Sequence, residues 1–197
     1  MMLDKDLEFL KKVDDKYLGV LVDVMINYDG GTSKIKAVKE ECSKYGTSYQ
    51  NYLDVIVDAY LNYGKDVLQS IGKGDLKISY RHVLSECCQS VNVDFKAQLS
   101  VKTIENNLLK TCLNIDDESE VKVDEIIKII IKVYSKSKSM PWYVWITSPT
   151  LIAQPIFLPW CIPVIEIAKK IYKKCRPELQ AILPCTLLIA LYRKMFG

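Results

Sequence analysis

A single histidine, His82, is all the imidazole available to this chain of 197 residues. That argues against a histidine-rich metal centre. It also leaves a hydrolase triad without a serine or cysteine nucleophile at a recognisable spacing. Period-2 alternation bounded by turns is missing too, so no sheet is expected, and the short stretch from Leu76 to Tyr80 reads as loop. The seven cysteines have no repeated spacing: Cys87 and Cys88 are adjacent, while Cys42, Cys112, Cys161, Cys175 and Cys185 stand apart. Neither a disulfide framework nor a zinc site is signalled, and a reducing cytoplasm is the simpler setting. The opening MMLDKDLEFLKK has charges where a secretion signal needs an apolar run, so export is not expected. Charge is absent altogether from the 27 residues between Lys138 and Glu166.

What is present divides the chain in two. From Ser139 onward there are seven Lys/Arg against two Glu, and the remainder has 20 against 22. A mildly acidic helical body, 1–138, therefore carries a basic, hydrophobic tail, 139–197, either appended to the body or packed on it as one domain. The fold class expected is all-α: a bundle of short helices, large enough to fold alone, with an apolar, proline-rich helical C-terminal segment.

Helical periodicity runs through the body. Leu3, Leu7 and Leu10 share one face behind Asp4 and Asp6. Tyr17, Leu18, Leu21, Val22 and Met25 mark a second helix, and Ile35, Val38, Cys42 and Tyr45 a third that closes at Gly46. Tyr52, Leu53, Ile56, Val57, Tyr60 and Leu61 predict a helix from Tyr49 to Tyr63, with Gly64 ending it as a C′ glycine and a separate short helix from Lys65 to Ile71. Ser79 is placed to cap a helix with Tyr80, Val83, Leu84, Cys87 and Val91 inward, and Ser100 to cap one with Val101, Ile104, Leu108 and Cys112 inward. An acidic loop at 116–120 precedes a helix with Val123, Ile126, Ile127, Ile130 and Tyr134 inward. Residues 136–139 read as a linker.

Each candidate site has a plainer explanation. Gly72-Lys73-Gly74 could cradle an anion, but it lacks the Gly-Lys-Ser/Thr of a Walker loop and the third glycine of a Rossmann loop, so turn geometry explains it. Asp54 and Asp58 are one turn apart and could serve a metal or a proton shuttle, but they lie opposite the apolar stripe, as a solvated face does. His82 reads as a half-exposed helical side chain. The acidic loop lacks the ligand order of an EF-hand. Nucleic acid is not expected as a partner, because the body is net acidic and the tyrosines fall on inward faces, Tyr52, Tyr60 and Tyr80 around a groove. No cofactor and no metal are expected.

The tail makes the stronger case for contact. Its uncharged run exceeds the ~20 residues that a helix needs to span a bilayer. Trp142, Tyr143 and Trp145 cluster at one end, the amphipathic type that settles at a membrane interface, and Phe157 and Trp160 lie further along. Lys169, Lys170, Lys173, Lys174 and Arg176 follow, suited to an anionic surface. Pro155, Pro159 and Pro163 recur every four residues and break a straight spanning helix, so a broken or hairpin-like segment is expected. A second uncharged run, Leu179 to Tyr192, could supply the other arm of a membrane hairpin. The expected partner is a membrane surface or another protein.

From Tyr63 to Leu109 the residues YGKDVLQSIGKGDLKISYRHVLSECC and LSVKTIENNLL resemble the YaaW-like bacterial proteins, a family of uncharacterised function. The resemblance rests on Tyr63-Gly64, the turn at Gly72 and Gly74, Tyr80-Arg81 with Val83-Leu84, and Ile104-Glu105 with Leu108-Leu109. Asp6 to Leu10 resembles the family's opening; Leu183-Pro184, Ile189 to Leu191 and Arg193 resemble its end. The family is grouped with the ubiquinol–cytochrome c reductase assembly chaperones. That implies a non-enzymatic all-α binding module with no catalytic residues to transfer, and a cytoplasmic protein of the interaction or chaperone-like kind is the reading expected from the whole sequence. Between about 140 and 170 the chain departs from the glycine-rich pattern of the family, being rich in proline and tryptophan instead.

Overall fold

The computed structural model describes residues 3–28, 35–69, 78–113 and 177–197. Among these the fold is all-α, with no strand. The chain opens on a 3-10 helix, Lys5–Lys12, capped by Asp4, whose Oδ1 accepts the Asp6 N–H at 2.9 Å. Leu7, Leu10 and Val13 are all buried, and their spacing of three is the 3-10 repeat, in which side chains at i and i+3 eclipse. Helix α1, Asp15–Tyr28, follows. The Gln50 side-chain amide bridges the junction, donating to the Leu10 and Val13 carbonyls, while the Gln50 N–H donates to Asp15.

Helix α2, Lys36–Tyr45, ends as the sequence predicts, with Gly46 at φ 58° and its N–H on the Cys42 carbonyl. A 3-10 turn, Tyr49–Tyr52, leads into α3, Leu53–Gln69. Here the prediction needs correction, because Gly64 does not terminate the helix. The helix runs on for five more residues and absorbs part of the separate helix expected from Lys65. Gly64 is buried, and a Cβ there would lie 2.4 Å from Val83 Cγ2. The missing side chain serves the approach of a neighbouring helix, not a left-handed cap.

That neighbour is α4, Tyr80–Ser90, which buries Tyr80, Val83, Leu84, Cys87 and Cys88. It unwinds through Asn92, the one non-glycine residue at positive φ among those described. Helix α5, Val101–Leu113, is capped by the Ser100 hydroxyl, which accepts the Thr103 N–H.

Helix α6, Pro177–Phe196, sits at the centre of the bundle, against α1, α3, α4, α5 and the first 3-10 helix. From Ile182 to Tyr192 only Leu187 escapes full burial. The described part of the C-terminal segment is therefore core. The second apolar run, expected as one arm of a membrane hairpin, has its residues 182–192 committed to protein neighbours. Among the described residues no helix is long and apolar enough to cross a membrane. Pro184 lies inside α6, where it removes one amide from the ladder.

Candidate functional site

The polar chemistry of the described fold converges on a node where four elements meet. Glu105 projects from the apolar stripe of α5 and is 2 % exposed. Its Oε1 accepts the Tyr80 hydroxyl at 2.5 Å, and its Oε2 accepts Arg193 Nε at 2.6 Å. Arg193, near the C-terminal end of α6, also donates to the Asp6 carbonyl. The guanidinium stands 4.1 Å from the centre of the Phe9 ring, a cation–π contact in a desolvated setting. Asp4 completes the node: the oxygen not used by Asp6 accepts the Tyr80 N–H at 2.8 Å. One carboxylate thus caps both the first 3-10 helix and α4.

Burial raises the Glu105 carboxyl above the ordinary glutamate range, and the Arg193 charge and the two hydrogen bonds pull against it. Burial also pushes the Tyr80 hydroxyl well above its usual range, and the Glu105 charge adds to the effect, so Tyr80 remains a donor. Both carboxylate oxygens and the phenol are engaged within the fold.

A second, neutral group lies along α6. Thr186 Oγ1 is 2.7 Å from Tyr60 Oη and 3.3 Å from Cys87 Sγ, and it donates to the Ile182 carbonyl. Nearby, the Tyr192 hydroxyl donates to the Tyr17 carbonyl at 2.7 Å. The five described cysteines are free thiols. Burial pushes Cys88 and Cys112 up to about 12, and Cys87 and Cys185 higher still, so these four are protonated and poor nucleophiles.

The residues singled out by sequence fall into three groups. Tyr80 and Glu105 meet in the node, and Gly64 packs on Val83 beside it in sequence. Arg81 turns away and donates to the Ala97 and Leu99 carbonyls, fixing the connection between α4 and α5. His82 is exposed, and its Nδ1 accepts the Ser79 N–H at 3.3 Å in a capping arrangement. Asp54 and Asp58 are half-buried on α3, and Asp58 accepts from the Asn62 amide. Among the described residues no group of His, Cys, Asp and Glu could hold a metal. Trp142, Tyr143, Trp145, Phe157, Trp160, Lys169, Lys170, Lys173, Lys174, Arg176, Gly72, Gly74 and the Tyr63 side chain lie outside the described residues.

Tyr52, Tyr60 and Tyr80, expected around a groove, are all buried. Tyr60 and Tyr80 are covered where α6 and its Thr186 and Arg193 pack on them. Sequence reasoning did not assign Asp4 or Arg193 a site role. The signal for Arg193 was a lone acid, Glu105, on an otherwise apolar stripe, which demands a buried cationic partner. No family model, no curated protein and no solved structure matches this chain.

Proposed function

We propose that this protein is a non-enzymatic helical interaction module of the chaperone-like kind. It works in the cytoplasm and contacts a membrane surface or a protein partner through the stretch from Met140 to Arg176. The observation that carries the reading is the 27-residue uncharged run, Ser139 to Ile165, which holds all three tryptophans and stands before a cationic cluster. Among the described residues Tyr45 is the exposed large apolar side chain, and Glu105 and Thr186, the buried polar ones, are bonded internally. The sequence meanwhile sets 27 uncharged residues, with all three tryptophans, before five cationic ones. Aromatic residues beside a basic cluster suit an anionic interface, at about 1 kcal/mol per cation. The resemblance to the YaaW-like proteins supports the same class of function.

Fractionation of the full-length chain tests this, with salt and carbonate washes, alongside a variant carrying Trp142→Ser, Trp145→Ser and Trp160→Ser. Recovery of the wild type with membranes or in a larger complex, and loss of that recovery in the variant, is the expected result. A wild-type chain found wholly soluble and monomeric would refute the proposal.

A further inference from the structure

Helices α4, α5 and α6 meet in two layers. In the first, Tyr80 of α4 and Arg193 of α6 both hold Glu105 of α5. The second lies seven residues along each helix, about 10 Å away. There Cys87 of α4 is 3.3 Å from Thr186 of α6, and the Cys112 thiol of α5 is near enough to act on Cys87 electrostatically. Residue numbers climb from the first layer to the second along α4 and α5, and fall along α6. Helix α6 is therefore antiparallel to α5. Leu113, where α5 ends, and Pro177, where α6 begins, lie at one end of the bundle.

That arrangement limits how often the intervening chain, 114–176, can cross a bilayer. Both of its ends join one packed bundle, since α5 packs on α6. They lie on the same side of any membrane, and the number of crossings is even. Backbone in lipid must satisfy its own hydrogen bonds, which restricts so short an insert to helices. A helical span takes about 20 apolar residues, so two take about 40. Ser139 to Ile165 supplies 27, and no second uncharged run of comparable length lies between 114 and 176. Connectivity excludes one crossing and length excludes two. Given the contact proposed above for Met140 to Arg176, on which this depends, we infer that the protein is monotopic. It sits on an anionic bilayer from one side, with the uncharged run dipping into the near leaflet and the whole bundle in water. Trp142, Tyr143, Trp145 and Trp160 suit that interfacial depth. The cations from Lys169 to Arg176 supply charge for the headgroups.

The test uses the full-length chain with vesicles of phosphatidylcholine and phosphatidylserine. All three tryptophans lie in the uncharged run, so intrinsic tryptophan fluorescence reports that run alone. Lipids brominated near the headgroup or near the chain end give depth. Sidedness comes from peptide tags fused before Met1 and after Gly197, on chains synthesised beside the vesicles and then exposed to external protease. The expected result is a loss of tryptophan emission, greater with the shallow bromines than with the deep ones, and cleavage of both tags. One tag shielded from protease would mean an odd number of crossings and overturn the inference. Stronger quenching by the deep bromines would mean a span, and would overturn it equally. Full emission on every vesicle would overturn it by removing the membrane as partner. Recovery of the chain in a larger soluble complex would then assign the contact proposed above to a protein.

Discussion

Gly64 of α3 faces Val83 of α4 so closely that a Cβ on residue 64 would stand 2.4 Å from the valine Cγ2. Overpacking at such a contact costs about 1–3 kcal/mol, and alanine returns about 1 kcal/mol through helix propensity. Gly64→Ala is therefore expected to lose roughly 1 kcal/mol net. Val83→Ala should relieve the clash, so a double-mutant cycle by urea denaturation should show favourable coupling. Strict additivity would mean that the two helices do not meet here.

Glu105→Leu is expected to destabilise by about 3 kcal/mol, because it strands the Arg193 charge and the Tyr80 hydroxyl in a largely buried site. The loss should depend on pH. The folded protein holds the Glu105 proton more tightly than the unfolded chain does, so the stability linked to it is full below the ordinary value of 4.5. It disappears as pH rises through the higher folded value. The gap between wild type and Glu105→Leu should narrow as pH rises across that window. Urea titrations at several pH values would reveal it, and a gap that widened would contradict the assigned direction.

Asp4→Ala removes a cap from two helices at once, the first 3-10 helix and α4. At about 1 kcal/mol per cap the loss is roughly 2 kcal/mol. Asp4→Asn keeps one acceptor oxygen and should recover about half of that. Equal stability of the alanine and asparagine variants would show that only one of the two bonds matters.

Removal of residues 177–197 should abolish cooperative folding. Ile182, Leu183, Leu188, Ile189 and Leu191 are buried, and at roughly 2 kcal/mol each they approach the whole net stability of an ordinary domain, about 5–15 kcal/mol. A fragment ending at 138 or at 176 lacks them all. Circular dichroism and a denaturant melt would decide, since a sharp transition in either fragment would make α6 an accessory.

Much of this fold was legible locally. The helices, their inward faces, the Gly46 stop and the Ser100 cap all follow from spacing and residue type, because such features depend on neighbours three or four positions away. Gly64 was not legible in the same way. A glycine that ends a helix and one that lets a second helix approach are the same letter, and only the presence of Val83 distinguishes them. The candidate node was half visible, in Tyr80 and Glu105. Its remaining members, Asp4 and Arg193, come from the two ends of the described chain.

By itself, then, the sequence determined an all-α protein with a polar helical body and an uncharged, tryptophan-bearing stretch before a basic one, because composition and periodicity are local properties. Tertiary structure alone decided that the last apolar helix belongs to the core. A helix that is apolar all round has the same pattern whether protein or lipid surrounds it. What settles the matter is its set of neighbours, and above all the pairing of Glu105 with Arg193 across 88 residues of chain.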